Sequence, residues 1–124
     1  MKLPLLFALL SLPLAAEEIP SVQAMKSAAD AFLGSLDDAK RAQASFAFDA
    51  PDRENFRFTP QTRTGLPLKE MNEAQRAAAM KLLDAALSDK GRLKAMQIIS
   101  LEGVLAGIEK RPEYRDSGKY YVSI

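Results

Sequence analysis

The sequence predicts a mainly α-helical fold with short β pieces: an N-terminal helix, a helical hairpin, and a β-rich C-terminal end that is incomplete. Three observations predict it. Apolar residues recur at three- and four-residue steps over residues 22–36 and 80–87. Helix start signals stand at Asn72 and Ser88. The last residues, "YYVSI", switch to the aromatic and branched side chains that favour a strand.

The first helix is expected over residues 20–45. Val22, Met25, Ala29, Phe32, Leu33 and Leu36 mark one apolar face, and Pro20 with Ser21 gives a start signal. Asp37, Asp38, Lys40 and Arg41 read as its solvated face. Gly34 weakens it, because glycine inside a helix costs about 1 kcal/mol relative to alanine.

"FAFDAPDRENFRF" follows. The pairs Phe46/Phe48 and Phe56/Phe58 each have the two-residue spacing of a strand face, and "DAPDREN" between them reads as a turn. A two-stranded hairpin that lids the helical core with aromatics is the expectation.

The second helix begins at Asn72, with Gln75 three positions later as the amide form of a capping box. Met80, Leu83 and Leu87 form its stripe, flanked by Ala79 and Ala86, and "SDKG" breaks it. Ser88 caps a third helix over residues 89–109. Its apolar positions cover more than half the circumference, which predicts burial on two sides. The short link makes the last two helices an α-hairpin, and no repeat period turns that hairpin into an array.

The first residues, "MKLPLLFALLSLPLAAEE", have the layout of a secretory signal peptide. Lys2 is the positive n-region, residues 3–14 are apolar, and small Ala15 and Ala16 precede Glu17, giving a leader over residues 1–16. A membrane span needs about 20 apolar residues; this run is shorter and carries Pro4 and Pro13. The expected product is a periplasmic or secreted bacterial protein with no stable membrane anchor once the leader is cleaved. Without cysteine it carries neither a lipid anchor nor disulfides, so packing alone must hold it.

Removing residues 1–16 from the 124 leaves 108, enough for one small domain. The leader takes with it one of the 17 basic residues and none of the 16 acidic ones, so the mature chain is neutral. That balance points to no nucleic-acid partner. The chain has no histidine. Zinc loses its usual ligands, a Ser-His-Asp triad is excluded, and no catalytic residue, metal site or cofactor is assigned. "LSDKGRL" lacks the glycine pattern of a phosphate loop.

"FRFTPQTRTGLPLKEMNEAQRAAAMKLLDAALSDKG", "SLEGVL" and "YRDSGKYYVSI" together resemble the DUF3500 family, whose function is unassigned. The resemblance rests on Phe56, Phe58, Pro60, Arg63, Gly65 with Leu66, Gln75, Leu87 with Ser88 and Gly91, Glu102, and Tyr120, over residues 53–124. Phe56 stands where many relatives have Trp or Tyr. The family continues past its Tyr-rich strand into a region with histidines, so the resemblance implies an N-terminal part. It implies an exported protein of unassigned function in which this segment is a scaffold or an interaction segment. The alternative is a periplasmic enzyme whose catalytic residues lie mostly beyond residue 124, with Arg63 and Glu102 contributing to an anionic-substrate pocket.

The candidate ligand-binding residues are Arg57, Arg63, Gln75 and Glu102. Residues 53–70 are locally basic, and Arg63 lies in a Gly/Pro loop running towards a helix N-terminus, a sensible cradle for a small anionic ligand. The structural alternative is that Arg63 holds a loop carbonyl or an acidic side chain. Glu102 sits on the flank of the third helix among Ile98, Ile99, Leu105 and Ala106. A carboxylate there acts on a ligand or meets a cation, and Arg63 is the expected partner. The terminal strand, unpaired in sequence, offers an edge to another chain.

Overall fold

The computed structural model describes residues 19–56 and 58–124; the expected leader and Arg57 lie outside the described residues. Four α-helices and one two-stranded sheet build the described part, as the sequence predicts: mainly α with short β pieces.

The stretch expected as one helix is two, α1 (Pro20–Gly34) and α2 (Asp38–Ala44). The "solvated face" is the reason. The Asp37 carboxylate accepts from the Lys40 N–H at 2.9 Å, and aspartate caps a helix better than it continues one. Arg41 closes the break from the far side, Nε donating to the Leu33 carbonyl at 3.1 Å and Nη2 to the Leu36 carbonyl at 2.7 Å. Those donors satisfy carbonyls that a helix end leaves orphaned. Leu36 can then turn inward, where it is buried.

α3 (Glu73–Ala86) and α4 (Asp89–Glu109) begin where the sequence places them. The capping box is reciprocal: the Gln75 N–H donates to Asn72 Oδ1 at 2.8 Å, and the Asn72 N–H to Gln75 Oε1 at 3.0 Å. Ser88 Oγ accepts from the Gly91 N–H at 3.2 Å. Lys110, at φ 52°, ends α4 in the left-handed region.

The sheet pairs β1 (Leu66–Pro67) with β2 (Tyr121–Val122), antiparallel, Leu66 opposite Val122 and Pro67 opposite Tyr121. The pairing extends beyond these residues. The Leu68 N–H donates to the Tyr120 carbonyl, the Ile124 N–H to the Ala44 carbonyl, and the Phe46 N–H to the Ile124 carbonyl. "YYVSI" therefore finds partners in its own chain, at β1 and at the end of α2. Gly65 precedes β1 at φ 107°, where a Cβ would stand 2.6 Å from the Val122 carbonyl oxygen, so the turn into the sheet requires glycine.

The core is Phe32, Leu36, Ala44, Leu66, Leu68, Met71 and Ala79, gathered where α1 packs on α3 and the sheet closes over them.

Two further expectations fail. Among the described residues no hairpin forms from the phenylalanine pairs: Pro51–Glu54 is a 3-10 turn, and Phe48, Phe56 and Phe58 are 80%, 86% and 85% exposed. Alternation needs a partner strand. Here Phe46 pairs with Ile124, Arg53 stacks 3.8 Å from the Phe48 ring centroid, and Asp52 is engaged by the Thr64 hydroxyl. Nor is α4 buried on two sides, since none of its residues is fully buried. Ala95, Ile99, Glu102 and Ala106 face inward, while Leu93, Met96, Leu101, Val104 and Ile108 are exposed. α3 and α4 are consecutive but splayed, with an apolar groove of about 450 Å³ between them, lined by Leu82, Leu83, Ile98, Ile99 and Tyr121 among others.

Candidate functional site

A second cavity, about 560 Å³, opens on another side of α4. One wall is the loop from Phe58 to Arg63. The others are Ile98 and Glu102 of α4, and the tight segment running from Tyr114 to Tyr121. That segment folds as it does because the Lys110 turn reverses the chain and Arg111 receives it: its carbonyl accepts from the N–H groups of Tyr114 and Arg115 at 3.1 and 3.0 Å. Asp116 then closes a turn, its carboxylate accepting from the Gly118 N–H at 2.8 Å.

The polar centre is Glu102. The Tyr120 hydroxyl donates to Glu102 Oε1 at 3.3 Å, long for such a bond. Arg115 Nη1 lies 3.8 Å from Oε2, which is buried and makes no hydrogen bond within the protein. Arg115 is directed elsewhere, Nε and Nη2 forming a fork on the Glu109 carboxylate at 2.9 and 2.8 Å. That fork holds the Glu109 carboxyl below its ordinary range and raises the Arg115 guanidinium above its own. The Tyr120 phenol is pushed up, first by burial and then by the neighbouring Glu102 charge, against a smaller lowering by Arg115.

The structure brings two of the four sequence candidates into this cleft, Arg63 and Glu102. Their partners in the cleft differ. Glu102 meets Arg115 and Tyr120, and half-buried Arg63 donates from Nη2 to the Thr59 carbonyl at 3.0 Å, the loop-carbonyl alternative. Gln75 is elsewhere. It is 5% exposed and wholly engaged in the fold, Nε2 donating to the Ser35 carbonyl at 3.1 Å and Oε1 accepting from Lys40 Nζ and the Asn72 N–H. Its place is the corner where the α1–α2 break meets the start of α3, not the anion cradle. Arg57 lies outside the described residues.

Sequence reasoning missed Arg115, Lys119 and Tyr114, and gave Tyr120 no place in a site. The signal was present in "EYRDSGKYY", which interleaves basic and aromatic residues as the 55–63 loop does. Residues 58–63 and residues 114–121 form two walls of the same cleft. Lys119 adds a third cation, Nζ donating to the Glu113 carbonyl. Among the described residues no cluster of acidic side chains could hold a metal ion, and no helix is long and apolar enough to cross a membrane.

Comparisons with curated proteins and with solved structures returned no match. Residues 18–124 match a family described as "Protein of unknown function (DUF3500)", a span that reaches back through α1 and α2, beyond the resemblance legible from residue 53. The chain belongs to the DUF3500 family.

Proposed function

We propose that this is an exported protein, periplasmic or secreted, whose helices are the scaffold of a cleft that binds a small anionic ligand. The observation that carries the reading is that Arg63, Arg115 and Lys119 line one cavity large enough for an organic acid, against two carboxylates, Glu102 and Asp116. Tyr114, Tyr120, Tyr121 and Phe58 supply apolar wall for the ligand's body. In an enzyme, this segment would hold the substrate, with Arg63 and Glu102 in the anionic-substrate pocket. The leader layout supports export, and mass analysis of the exported species should find Glu17 at its start.

Calorimetric titration with 3-phenylpropionate tests the cleft. Arg63→Gln keeps an N–H donor for the Thr59 carbonyl and removes the charge; Lys119→Gln does the same for Glu113. Each should weaken binding about tenfold at low salt and less at high salt. Absence of binding, or affinity indifferent to both substitutions, would end this reading.

A second reading, an interaction segment, is favoured by the outer face of α4. Between Met96 and Ile108 its one charged residue is Glu102, which faces inward. Exposed Lys90 and Lys94 stand at one end, Lys110 and Arg111 at the other. Basic ends around an apolar centre fit a partner helix with acidic ends. A second copy packed antiparallel would set like charges together.

A further inference from the structure

We infer that the ligand of this cleft is a hydroxylated carboxylic acid, its hydroxyl donating to the Tyr120 phenol oxygen while Arg63 and Lys119 attract its carboxylate; this rests on the anion-binding reading above. A phenol has one proton and two lone pairs. Tyr120 gives its proton to Glu102 Oε1, so the oxygen it offers the rest of the cleft is an acceptor.

That proton is held in its direction by the groups around it. A carboxylate can only accept. Glu102 Oε2 already has no hydrogen bond, and the nearest Arg115 nitrogen is 3.8 Å away. The Arg115 fork on Glu109, at 2.9 and 2.8 Å, keeps the guanidinium from closing on Glu102. Turning the phenol proton outward would leave both Glu102 oxygens without a donor, in a side chain that is 17% exposed. Such loss disfavours the alternative strongly, because unsatisfied buried charge is costly. Burial and the Glu102 charge also keep the phenol protonated, since both raise its pKa.

The cleft is therefore polarised. A ligand hydroxyl opposite Tyr120 finds lone pairs, whereas a ligand carbonyl there meets acceptor against acceptor. Sites built around a directed hydrogen bond discriminate between close analogues on this basis. Tyr120 is the specificity-determining residue, and Glu102 with Arg115 and Glu109 are positioning residues that act through it.

Three probes that share one skeleton separate these statements: 3-phenyllactate, 3-phenylpropionate and phenylpyruvate, titrated against wild type and Tyr120→Phe. The expected order in wild type is phenyllactate first, about tenfold tighter than phenylpropionate, with phenylpyruvate weakest. Tyr120→Phe, which keeps the ring, should abolish the gap between phenyllactate and phenylpropionate. Equal affinity for phenyllactate and phenylpropionate, or a gap that survives in Tyr120→Phe, would overturn the hydroxyl assignment and leave the anion cleft standing. Binding of none of the three would overturn both.

Discussion

The Tyr120 hydroxyl donates to Glu102 Oε1 across 3.3 Å, joining the residue that leads into β2 to the middle of α4. α4 has no fully buried residue, and the Arg92–Asp84 ion pair at 3.4 Å ties its start to α3. This bond and the Arg115 fork are thus both the polar centre of the cleft and the ties that keep its wall in place.

Those ties make stability depend on pH at both extremes. Tyr120 has a folded pKa above its ordinary 10.0, so its contribution is intact below that value and is lost as pH rises through the folded pKa. Glu109 has a folded pKa below its ordinary 4.5, so its contribution is present above that value and is lost as pH falls through the folded pKa. Urea midpoints measured across pH should fall at both ends. Tyr120→Phe should flatten the alkaline limb alone, and Arg115→Gln the acid limb.

Gln75 should matter for folding and not for ligand. Gln75→Ala removes half of the capping box, the Nε2 donor to the Ser35 carbonyl and the Oε1 acceptor for Lys40 Nζ. The expected loss is about 2–3 kcal/mol in urea unfolding, with ligand affinity unchanged wherever the protein is folded.

Lys110 adopts φ 52° at the end of α4 without being glycine. Lys110→Gly relieves the steric penalty of a side chain in the left-handed region, so the protein should gain about 1 kcal/mol. A higher urea midpoint at constant m-value is the check.

Val104 is 55% exposed on the outer face of α4. Val104→Ser should change the stability of the isolated protein by less than about 0.5 kcal/mol. A larger loss would mean that this face is already covered in solution.

The parts of the fold legible in the sequence are those decided within one turn of chain. Asn72 and Gln75 satisfy each other, and Ser88 caps its own helix, so both starts could be read from spacing. The break at Asp37 was also local, an N-cap read as a charged face because the apolar period runs on through Leu36. Phe46 and Phe48 misled for the opposite reason, since a strand's partner is chosen by tertiary structure, and here it is Ile124. The site divides in the same way. Arg63 and Glu102 stood out by their own surroundings, but the cation near Glu102 is Arg115, brought there by the Lys110 reversal, which no periodicity announces.

The most direct test of the central claim is a titration of isotope-labelled protein with 3-phenylpropionate, followed by amide chemical shifts. The account predicts shifts confined to residues 58–63, Glu102 and residues 114–121, with those of α1 and the start of α3 still. No shifts, or shifts gathered instead on the outer face of α4 from Leu93 to Ile108, would contradict it.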